Sequence, residues 1–133
     1  MAEITGAVHH LNLSVTDLER SVAWYSQLFG LTTLVRLDDD EHEFSKVILR
    51  HSSGLLVGLT AHRANPGDPF DERRSGVDHV ALRVPDAPAL AAWIDRLDHH
   101  GVEHSEIKTT PLGQLIVLRD PDNIQLELYA PTQ

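Results

Sequence analysis

The chain contains two copies of one unit, and this internal repeat constrains its fold more than any other feature of the sequence. The stretch GAVHHLNLSVTDLERSVAW resembles SGVDHVALRVPDAPALAAW when the chain is shifted by 69 residues, the separation of His10 and His79 (79 − 10). Two copies are too few for a solenoid, so we expect them to pack as one pseudo-symmetric domain. Further identical pairs at this offset are Val8/Val77, Leu13/Leu82, Val15/Val84, Asp17/Asp86, Trp24/Trp93, Leu28/Leu97, Leu49/Leu118 and Arg50/Arg119.

The first copy has the pattern of a strand, a helix and three further strands. Apolar and polar residues alternate over 7–15, which indicates a strand with one polar face. A helix is expected over 18–29, with Asp17 as its N-cap and Gly30 at its end. The apolar runs LTTLVRL, FSKVILR and GLLVGLTA then predict three strands.

The second copy repeats this order. VDHVALRV predicts a strand, and APALAAWIDRLDHH predicts a helix that begins after Asp86 and ends at Gly101. Three strands are expected in VEHSEIK, GQLIVLRD and NIQLELYA. The sequence therefore predicts an α+β fold of order βαβββ–βαβββ.

Length and composition favour a single globular domain over residues 1–133, with 41% apolar and 23% charged residues. The stretch HRANPGDPFDERRSG is rich in proline, glycine and charge, so it is expected to connect the copies. We place the first module at about 6–62, the linker at about 63–75 and the second module at about 76–130.

Charge and cysteine content limit the partners. The formal net charge of −9 disfavours nucleic acid and anionic membranes. There is no cysteine, so a bound metal ion would need His, Asp or Glu ligands. The N-terminal residues lack the pattern of a secretory signal, and no apolar run approaches membrane length, which predicts a cytoplasmic protein.

Three polar residues are candidate metal ligands. By strand alternation, His10 and His79 lie on equivalent polar faces, whereas neighbouring His9 should point away from His10. Glu127 shares a face of the last strand with Tyr129. If these faces line one cavity, two imidazoles and a carboxylate converge there. Such a set suits Fe(II), Mn(II), Co(II), Ni(II) or Zn(II) and leaves positions open for substrate or water.

The motifs HHLNLSVTDLERSVAWYSQLFGL, DHVALRV and LRDPDNIQLELY resemble the vicinal-oxygen-chelate superfamily over essentially the whole chain. This superfamily includes glyoxalase I, bleomycin-resistance proteins, fosfomycin-resistance enzymes and extradiol dioxygenases. The resemblance implies one half-open cup of eight strands around a divalent metal ion, and a small-molecule substrate. Its ligand positions, on the first and last strands of each module, correspond to His10, His79 and Glu127.

The fourth ligand position of the family corresponds to Gly58, which cannot bind metal or move a proton. The resemblance therefore favours an enzyme with dioxygenase-type chemistry and Fe(II) over glyoxalase I chemistry. PLGQLIVL lacks the tyrosine that the family's dioxygenases carry before the glutamate. A glyoxalase-type lyase or isomerase and a non-catalytic, bleomycin-resistance-type binding protein stay open as alternatives.

Three more residues are candidates for the site. His62 follows Gly58 with the same strand parity and is a candidate acid–base residue at the rim of the cavity. Arg83 and Tyr129 are candidates to orient an anionic or aromatic substrate. We also expect a homodimer, because two-module members of the family commonly pair and a cup of short strands leaves edges exposed. Whether one chain forms the cup or two chains exchange modules is left open.

Overall fold

The computed structural model describes residues 1–132 and divides the chain into two compact units. The first unit extends to Asp68 and the second starts at Pro69, so the boundary falls inside the predicted linker. Each unit has the predicted βαβββ order. The tandem α+β architecture is therefore confirmed, whereas the single domain stays a prediction.

The first unit is a four-stranded sheet with one helix. Its strands are arranged in the order β1-β4-β3-β2, with β1 parallel to β4 and the other neighbours antiparallel. Consequently β1 and β2 are the edges of the sheet. The elements are β1 (Leu11–Ser14), α1 (Leu18–Phe29), β2 (Thr32–Asp39), β3 (Phe44–Arg50) and β4 (Leu56–His62).

The second unit repeats this topology. Its strand order is β5-β8-β7-β6, with β5 parallel to β8. The elements are β5 (Val80–Arg83), α2 (Ala87–His99), β6 (Lys108–Thr110), β7 (Gly113–Arg119) and β8 (Gln125–Pro131).

Local sequence signals explain where the helices begin and end. The side chain of Asp17 accepts a hydrogen bond from the backbone N–H of Arg20, and Asp86 does the same for Ala89. Each bond satisfies one of the N–H groups that have no partner within the helix. Gly30 ends α1 in the left-handed conformation, with φ of 69°. These predictions are confirmed.

The repeat also organises the two hydrophobic cores. On β4 and β8 the leucine and valine side chains that alternate toward the helix are buried, and the opposite face carries Thr60 on β4 and Gln125, Glu127 and Tyr129 on β8. Burial of each leucine contributes roughly 2 kcal/mol relative to exposure. Equivalent buried pairs are Val15/Val84, Leu28/Leu97, Leu49/Leu118, Val57/Leu126 and Leu59/Leu128.

One strand prediction is wrong. VEHSEIK does not form a strand: residues 102–107 contribute only an isolated bridge from His104 to Leu118, and β6 begins at Lys108. The His104 ring is held between the carboxylate of Asp98 and the carbonyl of Ser105, at 2.8 and 2.7 Å. These side-chain bonds replace a continuous ladder along the segment. Over residues 1–132, neither helix is long and apolar enough to cross a membrane.

Candidate metal site

His79 and Glu127 lie together in the second unit. His79 directly precedes β5, and its Nε2 is 3.5 Å from Oε2 of Glu127 on β8. Two ligands that are each about 2.1 Å from one metal ion, at a tetrahedral angle, are about 3.4 Å apart. The observed separation and the donor chemistry of this pair therefore fit a shared divalent ion.

The far side of the His79 ring contacts a carboxylate. Nδ1 of His79 is 2.7 Å from Oδ1 of Asp78. An ionised carboxylate can only accept a hydrogen bond, so it favours the imidazole tautomer with a proton on Nδ1. That tautomer places the lone pair on Nε2, the nitrogen that faces Glu127.

His10 directly precedes β1 in the first unit and contacts His9. The two Nδ1 atoms are 2.8 Å apart, and the ring centroids are separated by 5.1 Å in an edge-to-face arrangement. The prediction that His9 points away from His10 is therefore wrong. Strand alternation does not apply there, because β1 begins only at Leu11.

The predicted three-residue ligand set is divided between the two units. His10 belongs to the first, and His79 and Glu127 belong to the second. Within residues 1–132, no group of three or more His, Asp or Glu side chains is close enough together to hold a metal ion. The complete set thus stays a prediction, and the structure contributes the His79–Glu127 pair.

The position equivalent to Glu127 in the first unit is Gly58 on β4, and an asparagine covers it. A Cβ atom on Gly58 would lie 3.0 Å from Nδ2 and 3.1 Å from Cγ of Asn12, its partner on β1. The hydroxyl of Thr60 donates a hydrogen bond of 2.7 Å to Oδ1 of Asn12. An amide held by hydrogen bonding therefore occupies the space that a side chain at this position would need.

Arg83 and Tyr129, the candidate substrate-binding residues, are partners in the pairing of β5 with β8. They follow the pair of Ala81 and Glu127 by two residues, which is about 7 Å along the strands. The Arg83 side chain is exposed, and the hydroxyl of Tyr129 bonds to Thr110 on β6. Both residues therefore lie close to Glu127 and on the same face of the sheet.

His62, the candidate acid–base residue, is the last residue of β4. It is exposed, and its ring lies 5.7 Å from the ring of Phe44, its partner on β3. It follows Gly58 by four residues, about 13 Å along the strand. A role for His62 is thus limited to the end of the sheet.

The motif LRDPDN forms the turn between β7 and β8. Oδ1 of Asp120 accepts hydrogen bonds of 2.8 Å from the backbone N–H groups of Asp122 and Ile124. Asn123 has a positive φ of 66°, a conformation that asparagine tolerates better than most residues. The motif therefore shapes the entry into β8, the strand that carries Glu127.

Sequence reasoning missed a polar network beside His79. Gln125 donates a hydrogen bond from Nε2 to Asp78 and accepts one from Arg119 at Oε1. Arg119 also binds both carboxylate oxygens of Glu72, at 2.6 and 3.1 Å. The guanidinium of Arg119 lowers the pKa of Glu72 to about 2. The available signal was strand parity, which places Arg119, Gln125 and Glu127 on one face.

The comparison with known proteins identifies the family. The model of the glyoxalase/bleomycin resistance protein/dioxygenase superfamily matches residues 7–128. The chain therefore belongs to this superfamily. A glyoxylase/bleomycin resistance protein/dioxygenase domain from Frankia sp. EAN1pec has the same fold, with a TM-score of 0.88 and 31% identity over 97% of this chain and 100% of that one.

The activities assigned to relatives of the chain differ in their chemistry. The chain is 30% identical to a trivalent organoarsenical cleaving enzyme from Bacillus sp. (strain MD1), over 90% of this chain and 70% of the relative. It is 26% identical to a probable lactoylglutathione lyase from Vibrio cholerae, over 93% and 90%. It is also 26% identical to the catechol-2,3-dioxygenase of Bacillus subtilis, over 92% of this chain and 41% of that protein.

A solved structure with a metal ion shares the fold. A point mutant of the fosfomycin resistance protein FosX from Listeria monocytogenes was solved with Mn(II) and 1S,2S-dihydroxypropylphosphonic acid. It superimposes with a TM-score of 0.71 at 21% identity, over 97% of this chain and 93% of FosX. A protein of the same fold thus binds Mn(II) together with a small oxygenated ligand.

Proposed function

We propose that this protein is a divalent-metal-dependent enzyme that acts on a small molecule with two neighbouring oxygen atoms. His10, His79 and Glu127 are its proposed metal ligands. The approach of His79 to Glu127 supports the proposal, because its length suits two ligands of one ion. His10 is included because it is equivalent to His79 in the repeat. The third ligand comes from the same chain or, if modules are exchanged, from a second chain.

We favour dioxygenase-type chemistry with Fe(II) as the metal. Two histidines and one carboxylate form the ligand set typical of oxygen-activating Fe(II) sites. Bound Fe(II) would supply oxygen activation at the open coordination positions. Such a reaction inserts both atoms of one O₂ into each substrate molecule, so it needs no external reductant. Mn(II), Co(II), Ni(II) and Zn(II) are the alternative metals, and the reaction catalysed would then be a different one.

The observation that carries this choice is the pairing of Gly58 with Asn12. An isomerase that moves a proton would need an acid–base group near the metal, and glycine has none. The amide of Asn12 is held by Thr60, and an amide is neither a base nor an acid near neutral pH. The first unit thus presents a hydrogen-bonding group at this position and no carboxylate.

The remaining residues have proposed roles in substrate binding. Arg83 is placed to attract an anionic group, and the ring of Tyr129 offers an aromatic surface beside it. We propose His62 as a group that exchanges protons with the outer part of the substrate or with solvent. The exposure of His62 and its place at the end of β4 agree with a role at the rim of the proposed substrate cavity.

Oxygen uptake tests the proposed reaction. The protein is loaded with Fe(II) without oxygen, supplied with a panel of catechols, and then exposed to O₂ in an oxygen electrode. We expect uptake of one O₂ per substrate consumed and its loss in Glu127→Ala. His62→Gln should lower kcat without changing metal affinity, with His51→Gln, at a half-buried histidine just after β3, as the control.

A glyoxalase-type lyase or isomerase is the second candidate, favoured by the likeness to a probable lactoylglutathione lyase. The same preparations are assayed with the hemithioacetal of methylglyoxal and glutathione in the presence of Ni(II) or Zn(II). Hemithioacetal turnover without oxygen uptake would replace the first proposal with this one. Saturable binding of a small molecule that needs no metal, and no turnover, would favour a bleomycin-resistance-type binding protein.

A further inference from the structure

We infer that Asp78 positions His79 for metal binding, and that Gln125 and Arg119 hold Asp78 in place. The inference rests on the proposed function insofar as His79 is taken as a metal ligand. It assigns three positioning residues that do not themselves touch the metal or the substrate.

The carboxylate of Asp78 has two hydrogen-bond donors on one oxygen. Oδ1 is 2.7 Å from Nδ1 of His79 and 3.3 Å from Nε2 of Gln125. Asp78 itself is largely exposed, with 61% of its side chain accessible. An exposed carboxylate is otherwise free to rotate, so the second donor is needed to fix the oxygen that faces the ring.

The orientation of the Gln125 amide is determined by its two neighbours. Arg119 has only donors, so the amide oxygen must face it, and their contact is 2.9 Å. Asp78 has only acceptors, so the amide nitrogen must face the carboxylate. Reversing the amide would lose both bonds. Through these two hydrogen bonds, Gln125 fixes the position of Asp78 relative to Arg119.

Arg119 is in turn fixed by Glu72 and by the turn that precedes β8. Its guanidinium makes a two-pronged ion pair with Glu72 and donates to the carbonyl of Asn123 at 3.1 Å. Bidentate pairs of this kind constrain geometry more than single bonds do. The network thus connects the proposed ligand His79 to Asp78 before β5, Gln125 on β8 and Arg119 on β7.

The consequence is a fixed tautomer and ring orientation for His79. Carboxylates that accept the second N–H of a metal-bound histidine orient the ring and raise its basicity. With Nδ1–H directed at Asp78, Nε2 presents its lone pair toward Glu127. His79 is therefore oriented for a metal ion before any ion binds.

The first unit lacks this network, because the equivalent positions carry different residues. At the offset of 69 residues (79 − 10), Asp78 corresponds to His9 and Gln125 to Leu56. The partner of His10 is consequently an imidazole and not a carboxylate. We infer that His79 is the more strongly oriented of the two histidines.

Two readouts test the inference: Mn(II) affinity by calorimetry, and the tautomer of His79 in the metal-free protein by ¹⁵N NMR of the imidazole. Asp78→Ala and the isosteric Asp78→Asn are compared with Asp98→Asn. Asp98 is the matched control because it pairs with His104, far along the chain from the ligands. Gln125→Met removes the amide at similar volume.

We expect Asp78→Ala to weaken Mn(II) binding about 10- to 100-fold, with Gln125→Met weakening it less and Asp98→Asn not at all. In the metal-free wild type, the neutral His79 ring should carry its proton on Nδ1, because Nδ1 faces the carboxylate of Asp78 at 2.7 Å, and Asp78→Ala should lose this preference. Unchanged affinity in Asp78→Ala would overturn the inference. If the wild type binds no metal, the proposed function fails, and the NMR measurement alone tests whether Asp78 orients His79. A mixture of the two His79 tautomers in the wild type would then refute the inference.

Discussion

Asn12 and Gly58 are partners in the pairing of β1 with β4, just as Ala81 and Glu127 are partners in the pairing of β5 with β8. The large and small residues are exchanged between the two units. In the first unit the large side chain is on the first strand, and in the second unit it is on the last. One unit therefore presents a carboxylate where the other presents an amide.

This exchange predicts that Gly58→Glu is tolerated only with a smaller residue at position 12. A Cβ on Gly58 would approach Nδ2 of Asn12 to 3.0 Å, so Gly58→Glu alone should cost about 1–3 kcal/mol of unfolding free energy. Adding Asn12→Ala recreates the Ala81–Glu127 pair and should recover part of that loss. Urea denaturation of the two single variants and the double variant measures the coupling. Additive effects within about 0.5 kcal/mol would show that the two positions do not compete for space.

A second prediction concerns Ser21 in α1. Its side chain is fully buried, and among the described residues its hydroxyl has no hydrogen-bond partner. The equivalent residue in the second unit is the fully buried Leu90. Because an unsatisfied buried hydroxyl is costly, Ser21→Ala should raise the unfolding free energy by about 1 kcal/mol. Thermal denaturation checks this, and a lower melting temperature would indicate that the hydroxyl has a partner.

A third prediction follows from the ion pair of Glu72 with Arg119. The folded protein lowers the pKa of Glu72 to about 2, well below the reference value of about 4.5. The pair therefore stabilises the fold above the reference pKa, and this stabilisation is lost as the pH falls from about 4.5 toward 2. Glu72→Gln should thus be less stable than the wild type at neutral pH, with the difference shrinking below pH 4.5.

Urea denaturation between pH 7 and pH 2.5 measures that difference. Glu106→Gln is the control for removal of one exposed carboxylate. A stability difference between Glu72→Gln and the wild type that is constant over this range would contradict the account of Glu72.

The fourth prediction is a homodimer. β2 is an edge strand, and Leu34, Val35 and Leu37 on it have exposed fractions of 52, 46 and 47%. An exposed apolar edge favours pairing with another chain. Light scattering at micromolar concentration should give twice the monomer mass of 14.8 kDa. Leu37→Glu should shift the equilibrium toward monomer, and Leu112→Glu, at an exposed apolar residue outside β2, should not.

The sequence predicts the secondary structure well where local signals are strong. Asp17, Gly30 and Asp86 fix helix ends through contacts within a few residues, so their roles are visible in the sequence. The prediction of a strand in the segment before β6 is wrong. The residues of this segment alternate as in a strand, but side-chain hydrogen bonds of His104 hold the segment in an irregular conformation.

The candidate site is less visible in the sequence, because it depends on strand register. Parity and the repeat identify Glu127 and His79, and the structure brings these two together. The link between Asp78 and Gln125 joins residues 47 positions apart, and no local pattern predicts it. The contact of Asn12 with Gly58 likewise requires the pairing of β1 with β4.

The central claim is that His10, His79 and Glu127 bind one divalent metal ion, and anaerobic calorimetric titration with Fe(II) tests it most directly. We predict one ion per chain in the wild type and a loss of binding in each of His10→Ala, His79→Ala and Glu127→Ala, while His51→Ala binds as the wild type does. Absence of binding in the wild type, or undiminished binding in any of the three ligand variants, would contradict the account.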